Sequence, residues 1–129
     1  MFKRMMGIAL AGALVLTMAG AMPATAKAGD VIRRGACSGA SDWKLKLSPQ
    51  DGAIEVEYEV DSNKVGQTWA VRLFQNGDRI FAGRRVTKAP SGSFTVRVVA
   101  NDTPGTDSFR GKATNLTTGE VCRGTASIG

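Results

Sequence analysis

The chain has 129 residues, with 17 Lys and Arg, 11 Asp and Glu, two Cys and no His. The lack of His removes the commonest acid-base and metal-binding side chain near neutral pH, and two Cys are too few for a structural zinc site. The length is that of one domain, and no metal or cofactor is expected.

The start of the chain has the composition of an export signal. Two basic residues precede an uncharged, mostly apolar run over 5–20, and a small-residue cleavage pattern ends at Ala26 or Ala28. An uncleaved membrane anchor would need about 20 apolar residues, and this run is shorter. We therefore expect a signal peptide over 1–26 and a secreted, extracellular domain over 27–129, with no stable membrane span after processing.

The two cysteines predict one disulfide. Outside the cytoplasm, Cys37 and Cys122 should be oxidised together, and the bridge would close most of the mature chain into one loop. The chain-entropy model values such a closure at roughly 4–5 kcal/mol. A redox-active pair would show a Cys-x-x-Cys spacing, which is absent, so we expect a structural bridge.

Short alternating runs separated by turn residues fill the mature chain. Strands are expected over 31–34, 43–47, 54–60, 68–75, 79–82, 93–99, 108–114 and 120–128. No segment of ten or more residues after the signal has helical periodicity. The pattern predicts an all-β fold, a single antiparallel β-sandwich of the immunoglobulin-like kind with about seven strands. The antibody-type Cys-Trp-Cys spacing is absent.

The first hairpin has a register that both faces support. If residues 49–52 form the loop, Ser48 faces Ala53 and the remaining pairs follow. The inner pairs are then Leu47–Ile54, Leu45–Val56 and Trp43–Tyr58, and the outer pairs are Lys46–Glu55 and Lys44–Glu57. The row of acidic residues at 55, 57 and 59 resembles a carboxylate site, but the lysines opposite favour a solvated strand face.

The second hairpin carries the predicted binding site. Asn76-Gly77 indicates a two-residue turn, which places Phe74 opposite Arg79 and Arg72 opposite Phe81 on an outer face. Two aromatic rings interleaved with two arginines could bind a ligand through stacking or cation–π contacts. The alternative is that another strand, a loop or a second copy covers this face.

Motifs for catalysis are weak. The chain has no His, no Ser-x-x-Lys and no Gly-x-Ser-x-Gly pattern. A loop beginning at Asp61 has Val65 and Arg72 where a calcium loop needs ligands, so it fails as an EF-hand. No catalytic residue is predicted, and the protein is not expected to be an enzyme.

Basic residues are spread over the mature chain, which has 15 basic and 11 acidic residues once the two basic residues of the signal are removed. Arg97 forms a sequence cluster with Arg110 and Lys112. An exported protein meets no genome, so nucleic acid is a poor partner, and anionic wall polymers, lipid headgroups or acidic proteins are better ones.

Six segments of the mature chain carry a resemblance to known proteins: 35–38, 43–46, 57–61 with Asn63, 66–69, 89–94 and 118–122. On these segments the chain resembles a group of small secreted actinobacterial proteins without an assigned activity. The resemblance implies export and one fold unit, and it transfers no catalytic residue. Secreted cellulose-binding modules are similar in size and architecture, but their exposed Trp platform is not matched, because Trp43 and Trp69 fall on predicted inner faces.

Three functional hypotheses remain, in decreasing order of support. The first is a non-catalytic module that binds an anionic or polysaccharide component of the cell wall or extracellular polymer. The second is a module that binds an extracellular protein, as inhibitor or effector, through the loops at Pro90–Gly92 and Asn101–Asp107. The third is a small carboxylate-dependent hydrolase. The oligomeric state is not predicted.

Overall fold

The structure, a computed structural model, describes residues 27–129, so the expected signal peptide over 1–26 lies outside the described residues. The described chain contains eight β-strands. They are β1 (Val31–Ala36), β2 (Asp42–Gln50), β3 (Ala53–Asp61), β4 (Thr68–Gln75), β5 (Asp78–Val86), β6 (Ser93–Asn101), β7 (Asp107–Asn115) and β8 (Val121–Ile128). No helix long and apolar enough to cross a membrane occurs within 27–129.

The strands form two antiparallel sheets. The first has the order β1-β2-β3-β6, and the second has the order β5-β4-β7-β8. The chain crosses between the sheets after β3, after β5 and after β6, so β6 returns to pair with β3 across two intervening strands. The all-β, antiparallel fold is confirmed, with eight strands in the described part instead of about seven.

The core lies between the two sheets, because alternate side chains of each strand point inward. It is built from aliphatic and aromatic residues of both sheets, including Leu45, Leu47, Val56, Tyr58 and Val96 from the first and Trp69, Val71, Leu73, Phe109 and Ala113 from the second. The expected inward orientation of both tryptophans is confirmed. Trp69 is fully buried, and Trp43 is half-buried against the core.

One buried side chain connects the sheets directly. The Tyr58 hydroxyl donates a hydrogen bond to the Cys122 carbonyl oxygen over 2.9 Å. The ring lies against Gly111, where a Cβ atom would be 2.9 Å from ring carbons. Burial raises the pKa of Tyr58 well above its ordinary value, so the phenol stays protonated and remains a donor.

The predicted register of the first hairpin is wrong by two residues. Gln50 pairs with Ala53 around the two-residue turn Asp51-Gly52, and Leu45 faces Tyr58. Asp51 and Gly52 both have positive φ, as a two-residue hairpin turn requires. Both strands are therefore longer than the predicted four-residue loop over 49–52 allowed. Because the shift is even, every side chain keeps its predicted face.

The predicted disulfide between Cys37 and Cys122 is confirmed, and it joins the loop after β1 to strand β8. A group of hydrogen bonds lies beside the disulfide. The Glu120 carboxylate accepts hydrogen bonds from the Gly39 amide, at 3.0 Å, and from the Ser41 amide and hydroxyl, both at 2.8 Å. This end of the molecule is therefore held by one covalent and several polar links.

The two loops of the protein-binding hypothesis lie at opposite ends of strand β6. The Pro90–Gly92 turn precedes β6, and the segment from Asn101 to Asp107 follows it. Nine residues separate them, or nearly 30 Å at about 3.3 Å per residue. The two loops therefore do not form one continuous surface.

Candidate functional site

The turn of the second hairpin forms as predicted. Asn76 and Gly77 both have positive φ, Gln75 pairs with Asp78, and Phe74 pairs with Arg79. Inward-facing residues of β4 are buried, so the alternate residues, including Phe74, lie on the outer face of the second sheet. Arg79 is exposed on the same face because directly paired residues share a side.

The predicted position of Phe81 is wrong. A bulge between Leu73 and Phe74 shifts the register, so Phe81 pairs with Leu73 and Arg72 pairs with Ala82. One extra residue on one strand reverses the side of every residue beyond it. The Phe81 ring therefore packs against the core, with the Arg85 guanidinium 5.1 Å from its centroid. It does not belong to the outer face.

Four further cations join the outer face. Arg84 lies on the part of β5 beyond the predicted strand end, Arg110 and Lys112 lie on β7, and Arg123 lies on β8. We call this outer surface of the second sheet the basic face; its cations are Arg72, Arg79, Arg84, Arg110, Lys112 and Arg123. Arg97, which neighbours Arg110 only in sequence, lies on the first sheet.

Three of these cations stand in one row across the sheet. Arg72 on β4 pairs with Lys112 on β7, which pairs with Arg123 on β8. Adjacent strands are about 4.8 Å apart, and like charges directly opposite each other destabilise a sheet. The row is therefore a cost to folding, and nothing in the described chain offsets it.

No carboxylate neutralises the basic face within residues 27–129. None of the ion pairs there involves any of its six cations. The strands of this sheet contain two acidic residues: Asp107 is buried on the inner side, and Asp78 stands opposite the inward-facing Gln75. The charge of the face is thus uncompensated by the described part of the protein.

The aromatic ring of the basic face is covered by one of its cations. The Arg110 guanidinium lies 4.3 Å from the centroid of the Phe74 ring, a cation–π distance. Phe74 is only partly exposed, and Arg79 stands opposite it on β5. The ring orients Arg110 and does not present a bare stacking surface.

A depression of about 500 Å³ lies between the cations. Its floor is formed by the small side chains Ala70 and Ala82, and its charged walls by Arg72, Arg84 and Lys112. We call this depression the basic recess. Ala70 pairs with Arg84 and Ala82 pairs with Arg72, so each small side chain leaves space beside a long basic one, and charged donors surround a cleft large enough for a ligand group.

The outer face of the first sheet has the opposite arrangement. Arg97 forms ion pairs with Glu55 at 3.2 Å and Glu57 at 2.9 Å, and Lys44 pairs with Glu59 at 3.4 Å. The acidic row is neutralised, but the predicted pairs are wrong: Lys44 lies opposite Glu59, and Arg97 is the partner of Glu55 and Glu57. These carboxylates are engaged in surface ion pairs, and Glu59 also lines a depression of about 230 Å³ together with Asp42 and Asp61.

Asp107 anchors the loop after β6. Its buried carboxylate accepts hydrogen bonds from Gln75, Asn76 and Thr103. Burial alone would raise the pKa of Asp107, but these hydrogen bonds outweigh it and hold the pKa below its ordinary value. The carboxylate is ionised and fully used in holding the loop, so it is not a reactive group.

A second cavity, of about 390 Å³, lies at the disulfide end, beside Ser41, Lys64, Gln67 and Glu120. Its one carboxylate already accepts the hydrogen bonds of the loop after β1. Within 27–129 no group of three His, Cys, Asp or Glu side chains could hold a metal ion.

Comparisons with protein-family models, with curated proteins and with solved structures found no match to this chain. Function is therefore inferred from the chain's own geometry and charge. Of the four predicted binding residues, the fold brings Arg72, Phe74 and Arg79 together and leaves out Phe81. Arg84 belongs to the same hairpin, and Arg123 faces Lys112 in consecutive strands, but Arg110 and Lys112 reach this face through the pairing of β4 with β7, which local sequence patterns do not encode.

Proposed function

We propose that this protein is a secreted, non-catalytic binding module whose basic face holds an anionic polymer at or beyond the cell surface. The observation that supports the proposal most directly is the row of Arg72, Lys112 and Arg123 without a carboxylate among the described residues. A ligand with several negative charges would relieve the repulsion within this row.

The arrangement favours recognition by charge over recognition by stacking. Both tryptophans point inward, and Phe74 lies under Arg110. A neutral polysaccharide would find no exposed aromatic platform on this face. An anionic polymer would find guanidinium groups, which bind oxyanions through paired hydrogen bonds.

Secretion and an immunoglobulin-like topology are part of the same proposal. The signal-like first 26 residues support secretion, and a disulfide is compatible with an extracellular location. An immunoglobulin-like topology is supported by the return of β6 to pair with β3 and by the buried Trp69 on a central strand of the second sheet.

Sedimentation with insoluble wall material tests the proposed function. We expect the oxidised protein to sediment with anionic wall polymer and not with a neutral polysaccharide, and to be released at high salt because salt screens exposed charges. The variant R72Q/K112Q/R123Q should lose the interaction. The control R33Q/K64Q/K88Q removes the same charge from exposed positions off the face and should retain most of it.

Two results would contradict the proposal. Equal loss in both triple variants would show that net charge alone drives the interaction. A protein that sediments with no polymer at low salt would redirect the search to an acidic protein partner.

A further inference from the structure

The basic recess brings donor groups of the basic face together around one depression. Arg72, Arg84 and Lys112 come from three neighbouring strands and line one depression together with Thr114. Within residues 27–129, no hydrogen bond or ion pair engages the side-chain donors of these four residues. Their hydrogen-bonding capacity is therefore directed to solvent or to a ligand.

The shape of an oxyanion decides how many such donors it can satisfy. A carboxylate is planar, and one arginine can engage both of its oxygens through two parallel hydrogen bonds. A phosphodiester or sulfate-ester group is tetrahedral, so its oxygens point in several directions. Two guanidinium groups, an ammonium group and a hydroxyl around one cleft match the second shape, and lysine serves phosphate as a point charge.

A second depression beside the first favours a linear ligand with several charges. It has a volume of about 320 Å³ and lies beside Phe74, Ser108 and Arg110. Arg110 is two residues from Lys112 on β7, or roughly 7 Å along the strand. Consecutive charges of one linear molecule could occupy both depressions, whereas a single small anion fills only one.

We infer that the basic recess is a subsite for a tetrahedral oxyanion, a phosphodiester or sulfate-ester group, carried by a linear polymer. This inference rests on the proposed function and narrows its ligand class. The concave position of the cations favours a polymer strand over a membrane, because a planar layer of headgroups would meet the rim of the depression before its floor.

Titration calorimetry with oligomers of equal charge tests the inference. The probes are eight-unit glycerol phosphate, a sulfated oligosaccharide with eight charges, and octagalacturonate, with inorganic phosphate as the single-anion control. We expect at least one tetrahedral oligomer to bind about tenfold more tightly than octagalacturonate, a difference of about 1.4 kcal/mol. The preferred oligomer identifies the phosphate or sulfate ester, and inorganic phosphate should bind far more weakly.

Matched variants test whether the basic recess causes the selectivity between tetrahedral and carboxylate oligomers. R84Q removes a wall of the recess, and R123Q removes one charge from the same face outside it. R84Q should bring the tetrahedral and carboxylate oligomers close to equal affinity, whereas R123Q should weaken all oligomers by a similar factor. T114V, which keeps the charge, should reduce selectivity to a smaller degree. Near-ultraviolet circular dichroism confirms that each variant is folded.

The outcomes separate the two proposals. If octagalacturonate binds as tightly as the tetrahedral oligomers, or if R84Q and R123Q act alike, the recess is not a selective subsite, although the basic face still binds polyanions. If no oligomer and no wall polymer binds, the proposed function itself is wrong.

Discussion

The two sheets of this protein have outer faces of similar construction and opposite charge arrangement. On the first sheet, acidic residues of β3 are paired with Arg97 and Lys44 from the neighbouring strands. On the second, Arg72, Lys112 and Arg123 stand side by side, and no described carboxylate lies near. One face is neutralised by its own fold, and the charge of the other is not neutralised by the described part of the chain. The contrast teaches that a net charge of a few units can hide a strongly polarised surface.

The largest expected effect comes from making the second face resemble the first. R72E places an acid directly opposite Lys112 at one end of the row, so these two positions can form an ion pair. Removing one positive charge and adding a negative one should weaken polyanion binding at least tenfold and reduce its salt dependence. Titrations with the wall polymer at two salt concentrations measure both. Unchanged affinity would mean that the row does not contact the ligand.

Acid should destabilise the fold through the buried carboxylate of Asp107. The pKa of Asp107 is lowered in the folded protein, so its contribution is present above the ordinary value of 3.8 and is lost as the pH falls through the folded pKa. Thermal unfolding scans from pH 7 downward should show the loss mainly below about pH 4.

D107N is the matched control for this pH dependence. It removes the ionised acceptor and leaves polar groups of Gln75 and Thr103 less well satisfied, so it should destabilise the protein by about 1–3 kcal/mol at neutral pH. Its stability should then fall less steeply in acid than that of the parent. An equally steep fall would assign the acid sensitivity to other carboxylates.

The smallest expected effect is a stability change of opposite sign for substitutions on the two outer faces. R97Q breaks the ion pairs of the first face and should lower stability by about 0.2–1 kcal/mol, the range of exposed pairs. R72Q relieves repulsion on the second face and should raise stability by a similar amount. Urea unfolding of the two variants at low salt measures the difference. Changes of the same sign would mean that the two faces are not electrostatically distinct.

Much of the fold could be predicted from local patterns. Alternating side chains identified the strands and their inner faces, and Asn76-Gly77 defined a tight turn because few other residue pairs adopt positive φ twice. The disulfide followed from two cysteines and an expected oxidising compartment. The register of the first hairpin was wrong because Asp51-Gly52 can close the turn alone, although the even shift preserved both faces.

The candidate site could be predicted from the sequence only in part, for a physical reason. The bulge that turns Phe81 toward the core depends on how β5 fits over its neighbours, and no residue within β5 signals it.

The sequence by itself determined most of the strand faces, the Asn76-Gly77 turn and the covalent bridge, because these depend on residues close in the chain or on a single pair. Only the tertiary structure decided that Arg72 joins Lys112 and Arg123 in one row, because the pairing of β4 with β7 connects distant segments, whereas β7 and β8 are consecutive strands. Backbone hydrogen bonds and core packing determine which strands pair. That pairing then fixes the positions of the outward-facing charges.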